Sequence, residues 1–293
     1  MKKLMIHSTI AILFIIVFSI IILPFIFIYA HIHIPRLPNY FNPASRGMEF
    51  EDISTTTEDN INLKGWYIPH EAKKGTILVC HGVAANKADV LSVAEKFHKG
   101  GYEIYMFDFR GHGDSDKARI TYGYDERKDI KAIVQLIKNR GINEIGIFGL
   151  SMGGAIVLLS APENPEIKAI IVDSTFASAE KILKYRIGLA LPDSMVDILA
   201  NIATKYTNMI YKVQIKDIAP INVIDKINRP IMFIIGSSDT NIIPDNGYIL
   251  FEKAKQPKEL YVVQGADHTE TISDNDYESK INQFMDNYLG NKD

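Results

Sequence analysis

Six short, unbroken apolar runs recur between residues 76 and 263, separated by longer segments with helical periodicity. The runs are Thr76 to Cys80, Ile104 to Phe107, Ile145 to Phe148, Ala169 to Val172, Ile231 to Ile235 and Leu260 to Val263. Strands that are apolar on both faces are typical of a parallel sheet covered by helices on both sides. The sequence therefore predicts an α/β fold with a mostly parallel central sheet flanked by helices.

The segments around these strands predict helices, a strand pair and an insertion. Helical patterns occupy Lys87 to Lys99, Glu126 to Asn139, Met152 to Ser160, Asn246 to Lys255 and Tyr277 to Leu289. Apolar and polar residues alternate in two further segments, Met48 to Ser54 and Ile61 to Ile68, which favours an antiparallel strand pair. Nearly sixty residues separate Val172 from Ile231, more than a direct crossover needs. We expect a helical cap over the functional site at about residues 176–220; a helical decoration remote from the site is the alternative.

The first thirty residues are apolar and almost uncharged. Lys2 and Lys3 precede a stretch from Leu4 to Ala30 that contains no charged side chain. At about 1.5 Å per residue, a helix of this length spans the ~30 Å hydrocarbon core of a bilayer. A cleaved signal peptide is the alternative, although its apolar core is usually only about 7 to 15 residues long. We predict a single-pass membrane protein, with the lysines favouring an inside N-terminus and an extracytoplasmic domain.

This segment divides the chain into a transmembrane anchor (1–30), a linker (31–47) and one domain (48–293). A hydrophobic fraction of 47% with 23% charged residues indicates an ordered globular protein, and a net charge of -3 gives no support to nucleic-acid binding. The single cysteine, Cys80, excludes an internal disulfide and is expected to be a buried apolar residue. His31 and His33 lack further ligands, so we expect interfacial residues rather than a metal pair.

The sequence GLSMGG, Gly149 to Gly154, directly follows the apolar run Ile145 to Phe148. Glycine weakens both strands and helices, so this motif predicts a sharp strand-to-helix turn that exposes Ser151 as a nucleophile. A glycine-rich turn that happens to contain a serine is the alternative. A serine hydroxyl needs an imidazole to remove its proton and a carboxylate to orient that imidazole.

Loops after other strands provide these groups, because the carboxyl ends of parallel strands meet at one edge of a sheet. We predict His268, in GADHTE, as the base. Asp239, in GSSDTNIIP, is the predicted orienting acid because its strand immediately precedes that of the histidine. Asp173 is the second candidate, whereas Asp267 would have to fold back on its neighbour.

An acyl-transfer site also needs donors for the oxyanion of the tetrahedral intermediate, and removing one donor typically costs ~3 to 4 kcal/mol. The backbone N–H groups of Met152, at the start of a helix, and of Val83, in HGVAANK, are placed to supply them.

Over about residues 48 to 289 these motifs resemble the α/β-hydrolase superfamily. Within it, LKGWYIP, HGVAANK, DFRGHGDS, GLSMGG and GADHTE are most similar to the BEM46-like and serine aminopeptidase/monoacylglycerol lipase-like hydrolases. The resemblance implies an α/β-hydrolase fold, a triad of Ser151, Asp239 and His268, and an oxyanion hole from Val83 and Met152. It also implies a mainly structural role for the RGHG turn, Arg110 to Gly113. The sequence departs from the family pattern at EDN before LKGW and at Asp267, neither of which is a catalytic position.

The predicted function is that of a membrane-anchored serine hydrolase that cleaves carboxylic esters through an acyl-enzyme intermediate, with no metal or cofactor. The expected partners are a small-molecule ester substrate and the membrane. An apolar cap beside a membrane tether favours acylglycerols. A serine peptidase, a thioesterase, acyl transfer to another alcohol and a noncatalytic binding protein on the same scaffold are the alternatives.

Overall fold

The computed structural model describes residues 2–289, except for the side chains of residues 2–4, 12, 13, 15–17, 19–21 and 23. Its strands are β1 (Glu51–Thr56), β2 (Asn62–Ile68), β3 (Thr76–Cys80), β4 (Glu103–Phe107), β5 (Ile145–Leu150), β6 (Ile167–Asp173), β7 (Ile231–Gly236) and β8 (Lys258–Val263). Its α-helices are α1 (Lys2–Ile32), α2 (Leu91–Lys99), α3 (Arg127–Asn139), α4 (Met152–Ser160), α5 (Ala179–Gly188), α6 (Asp193–Tyr206), α7 (Asp245–Lys253) and α8 (Tyr277–Tyr288).

The strands form one sheet in the order β1-β2-β4-β3-β5-β6-β7-β8. β1 and β2 run antiparallel to their neighbours, and β3 to β8 pair in parallel. Every residue of β3, β4, β5 and β7 is buried, because helices cover both faces of the sheet. In β5, Ile147 packs into the core on one face and Phe148 into the core on the other. The predicted α/β fold with a mostly parallel sheet is confirmed.

The antiparallel pair forms with slightly different bounds from those that the sequence predicts. β1 begins at Glu51 rather than at Met48 and continues to Thr56. Thr55 pairs with Leu63 in this ladder, because β-branched threonines suit an extended strand. The reversal is therefore shorter than TTTEDN and is closed by the Thr57 N–H, which donates to the Ile61 carbonyl at 2.9 Å.

The interval between β6 and β7 holds α5, α6 and a five-residue π-helical turn at Thr207–Tyr211. Leu183 of α5 and Ala200 of α6 are buried in a core cluster that also contains Leu159 of α4. The insertion therefore packs on the helix that follows Ser151, rather than at a remote part of the domain.

The last turns of α1 pack on the rest of the protein. Ile28 and Ile32 are buried, and the ring of Phe25 meets that of Tyr206 edge-on at a centroid distance of 6.3 Å. Across the residues that the structure describes, no helix has both the length and the apolar character needed to cross a bilayer. The transmembrane anchor predicted for residues 1–30 is therefore not supported. An apolar sequence has the same composition whether its side chains pack on protein or face lipid, so hydropathy did not reveal these contacts.

The segment predicted as a linker is fastened to the domain. The Arg36 guanidinium donates to the carbonyl oxygen of Gly113 (Nε to O, 3.0 Å), and the Asn39 side-chain amide donates to Asp114 at 2.7 Å. These contacts fix the path of the chain between α1 and β1.

Candidate active site

Ser151 occupies a sharp turn between β5 and α4. Its φ of 53° and ψ of -116° are rare for a residue other than glycine, and its N–H donates to the Asp173 carbonyl at 2.8 Å. The glycines permit close packing: a Cβ on Gly153 would lie 2.5 Å from the carbonyl oxygen of His81. One on Gly149 would lie 2.6 Å from the Cα of Gly154. The glycine-rich sequence therefore allows α4 to begin directly against the sheet.

Ser151, His268 and Asp239 lie in hydrogen-bonded contact, although they are far apart in the sequence. The Ser151 Oγ is 3.1 Å from the His268 Nε2, and the His268 Nδ1 is 2.7 Å from the Asp239 Oδ2. A carboxylate only accepts hydrogen bonds, so Nδ1 carries the ring proton and Nε2 is free to accept the serine proton. This is the tautomer that a general base requires.

The Asp239 carboxylate is held by the backbone around it. Its Oδ1 accepts from the N–H groups of Asn241 and Ile242, both at 2.8 Å, which leaves Oδ2 for the imidazole. Only 1% of the Asp239 side chain is exposed, against 17% for His268. The carboxylate is thus shielded and oriented, while the imidazole remains open to a substrate.

Two other acidic residues of this region, Asp173 and Asp267, have different contacts. The Asp173 Oδ2 accepts from the hydroxyls of Thr271 (2.7 Å) and Tyr277 (2.8 Å), and burial raises the pKa of Asp173 to about 6. The Asp267 Oδ1 accepts from the backbone N–H of Thr240 at 2.9 Å and from that of His268 at 2.7 Å. These backbone hydrogen bonds lower the pKa of Asp267. Asp173 and Asp267 therefore hold the loop that bears the histidine rather than contact its ring.

The histidines at other strand ends are buried. His81 accepts from the Phe109 N–H through its Nε2 at 3.0 Å, and burial lowers its pKa to about 3. Burial also lowers the pKa of His112. In the same RGHG turn, the Arg110 guanidinium donates to Asp129 from Nε at 2.8 Å. The His81 contact joins the loops that follow β3 and β4, and the Arg110 contact joins the loop after β4 to α3.

Ser151 and His268 open onto a cavity of about 1060 Å³, which Val83 and Met152 also line. Met152 is the first residue of α4, so its N–H has no partner within the helix. Most of the wall is apolar. Among the described residues that line the cavity, Asp89 is the only carboxylate and Arg186 the only lysine or arginine.

Part of this wall was missed by sequence reasoning. Phe27, Ile28, His31 and Ile32 of α1 line the cavity together with Phe176, Leu183 and Ile218 of the insertion. The only signal in the sequence is the polar His31 at the end of an apolar stretch, which is equally typical of a membrane interface.

The two histidines near the end of α1 bond within the helix. His31 Nδ1 lies 2.8 Å from the Phe27 carbonyl oxygen, and His33 Nδ1 lies 3.1 Å from that of Tyr29. In the part of the chain that the structure describes, no group of three or more His, Cys, Asp or Glu side chains is arranged to hold a metal ion.

A serine on the turn between a parallel strand and its helix is the position at which α/β-hydrolases carry their nucleophile. The esterase Pf2001 of Pyrococcus furiosus superposes on this chain with a TM-score of 0.73 and 26% identity, covering 89% of this chain and 99% of the esterase. The protein is therefore a hydrolase of the α/β-hydrolase fold.

Its family follows from the sequence comparison. The model of the serine aminopeptidase S33 family matches residues 71–221, and the chain belongs to that family. The uncharacterized protein YqkD of Bacillus subtilis is 31% identical over 236 residues, which cover 77% of this chain and 76% of YqkD. The alpha/beta hydrolase domain-containing protein WAV2 of Arabidopsis thaliana is 26% identical, covering 89% and 88%. The α/β-hydrolase fold and the serine aminopeptidase family that the motifs indicate are confirmed.

Proposed function

We propose that the protein is a serine hydrolase that cleaves carboxylic esters with an apolar acyl group. The observation that carries this proposal is the hydrogen-bonded series from Ser151 through His268 to Asp239 at the wall of an apolar cavity. A binding protein would not need the imidazole in the tautomer that accepts the serine proton.

In the proposed reaction, the groups that transfer the proton, attack the ester and bind the oxyanion all belong to the protein. His268 Nε2 accepts the hydroxyl proton as the Ser151 Oγ attacks the ester carbonyl carbon. The N–H groups of Val83 and Met152 donate to the resulting oxyanion. When the tetrahedral intermediate collapses, the C–O bond to the alcohol breaks and the imidazolium returns the proton to that alcohol. Water then attacks the acyl-enzyme in the same way, releasing the acid and restoring Ser151.

The composition of the cavity favours esters over peptides with a free amino group. An aminopeptidase must neutralise the ammonium group of its substrate, and Asp89 is the only carboxylate among the described residues that line the cavity. Asp89 already accepts from the Asn86 N–H at 2.8 Å. The esterase activity in the name of Pf2001 agrees with this choice. The apolar wall favours acyl chains, including those on glycerol.

The proposal is tested with p-nitrophenyl esters from acetate to palmitate, monoacylglycerols, acyl thioesters and amino-acid p-nitroanilides. We expect hydrolysis of the esters, none of the anilides, and no turnover by Ser151→Ala. Folding of that variant is checked by circular dichroism. A folded wild-type protein that hydrolyses none of these compounds would favour the noncatalytic binding protein, and turnover of the anilides or thioesters alone would favour the peptidase or the thioesterase.

We also propose that α1 attaches the protein to a membrane, with the domain on the extracytoplasmic side. The uncharged sequence from Leu4 to Ala30 and the exposed side chains of Met5, Ile10, Phe14 and Phe18 support this proposal. In a bacterial host, the full-length protein is expected in the membrane fraction after a carbonate wash, and open to protease in spheroplasts. Recovery in the wash contradicts attachment, and protection from protease contradicts the orientation.

A further inference from the structure

We propose that the last turns of α1 form one wall of the acyl-binding site, so that the N-terminal helix determines which acyl chains are accepted. This inference rests on the proposed ester hydrolysis and deepens it. It assigns a specificity role to Phe27, Ile28 and Ile32, and it names the substrate class as esters of long-chain fatty acids.

The first argument is the shared cavity. Phe27, Ile28 and Ile32 line the same space as Ser151 and His268. Ile28 is 7% exposed and Ile32 is 6% exposed, and both belong to the apolar cluster that contains Phe176 and Leu183 of the insertion. An apolar wall of the cavity is therefore built jointly by α1 and by the insertion.

The second argument is that protein contacts fasten this end of α1 in place. The Ile120 N–H donates to the carbonyl oxygen of Ile32 at 2.9 Å, and the Tyr122 hydroxyl donates to that of His31 at 3.3 Å. Ile120 and Tyr122 also line the cavity. These bonds satisfy carbonyl groups that a helix leaves unpaired at its C-terminus. The wall is thus a fixed part of the site.

The third argument concerns the size of the space. A volume of about 1060 Å³ reaches the upper end of the ~300 to 1,000 Å³ usual for ligand sites. An acyl chain bonded to the Ser151 Oγ meets apolar side chains from the insertion and from α1. Each additional buried CH₂ group contributes about a four-fold gain in kcat/KM for as long as the chain remains in contact with the wall. A long acyl chain gains most from this site.

The test compares two tryptophan substitutions on the same helix in the full-length protein. Ile28→Trp places a large ring in the cavity wall. Ile26→Trp is the matched control, because Ile26 is 54% exposed and is not among the residues that line the cavity. The measurement is kcat/KM for p-nitrophenyl acetate, butyrate, octanoate and palmitate in one detergent.

In the wild-type protein we expect kcat/KM to rise from acetate to the long esters. In Ile28→Trp the palmitate-to-acetate ratio of kcat/KM is expected to fall at least about ten-fold, the effect of losing about two buried CH₂ groups. Ile26→Trp is expected to leave the ratio unchanged. An unchanged ratio in Ile28→Trp, or an equal fall in Ile26→Trp, overturns the inference.

A second variant keeps the test decisive if Ile28→Trp does not fold. Phe27→Ala removes a ring from the same wall and so enlarges the cavity, which is expected to shift the preferred ester to a longer acyl chain. The same preferred acyl length as in the wild-type protein would contradict the inference. A wild-type protein that cleaves only short esters overturns the inference while the serine hydrolase proposal stands. A wild-type protein that cleaves no ester and reacts with no fluorophosphonate overturns the proposed function and the inference with it.

Discussion

Replacing Asp239 with asparagine tests the orientation of the imidazole without changing the shape of the site. The two oxygens of Asp239 have different partners. Oδ1 accepts from the N–H groups of Asn241 and Ile242 at 2.8 Å, and Oδ2 faces His268 Nδ1 at 2.7 Å. An amide has one oxygen, and the two backbone donors hold it at the Oδ1 position. The amide NH₂ of Asp239→Asn therefore faces the imidazole.

This reversal changes the tautomer of His268. An NH₂ group donates, so Nδ1 must accept and the ring proton moves to Nε2. Nε2 is the atom 3.1 Å from the Ser151 Oγ, and once protonated it cannot take the serine proton. The comparable change in a serine triad lowers kcat by about 10⁴, which is ~5.4 kcal/mol of transition-state stabilisation. We expect a loss of that order.

The assay is kcat/KM for p-nitrophenyl butyrate, with thermal unfolding to confirm the fold. Asp267→Asn is the control, because Asp267 bonds the backbone of Thr240 and His268 and not the imidazole. It is expected to retain activity within about ten-fold of wild type, as suits a residue that only positions a loop. An Asp239→Asn enzyme as active as Asp267→Asn would refute the assignment of Asp239 as the orienting acid.

Two further predictions concern stability. Burial raises the pKa of Asp173 to about 6, from an ordinary value of 3.8, so the folded protein holds this proton more tightly. The stabilisation from this bound proton is complete below about pH 4 and is lost as the pH rises through about 6. The free energy of unfolding, measured with urea, should therefore fall by about 3 kcal/mol across this window in the wild-type protein and not in Asp173→Asn. An equal dependence of the unfolding free energy on pH in both proteins would contradict this. Gly153→Ala places a Cβ 2.5 Å from the His81 carbonyl oxygen and is expected to cost roughly 1 to 3 kcal/mol of unfolding free energy. In Gly188→Ala the nearest atom is 3.7 Å away, so that control is expected to be neutral or stabilising, and equal losses in both would contradict the packing argument.

The central strands could be predicted from the sequence because both of their faces are buried. A strand that is buried on two sides requires an unbroken apolar run, such as Thr76 to Cys80 or Ile145 to Phe148. Such runs can be recognised directly in the sequence. The residues that form the hydrogen-bonded series with Ser151 were predictable for a related reason. Parallel strands end at one edge, so His268 and Asp239 could be chosen from the loops after the last two strands.

The position of α1 was not predictable in the same way. Phe27 and Ile28 lie in an apolar helix whose composition is the same whether it packs against a lipid tail or against Leu183 of the insertion. The role of Asp173 was also hidden. Its partners Thr271 and Tyr277 lie about a hundred residues away, and nothing local in the sequence pairs them with a carboxylate. Both the position of α1 and the contacts of Asp173 depend on packing between residues that are distant in the sequence, and this packing is visible only in the folded structure.

The most direct test of the account is to locate the residue that a fluorophosphonate modifies. The full-length wild-type protein is labelled, digested and mapped by mass spectrometry. The account predicts a single adduct on the peptide that contains GLSMGG, at Ser151, because that hydroxyl lies on the strained turn in contact with the imidazole of His268. An adduct at another residue, or labelling that persists undiminished in Ser151→Ala, would contradict it.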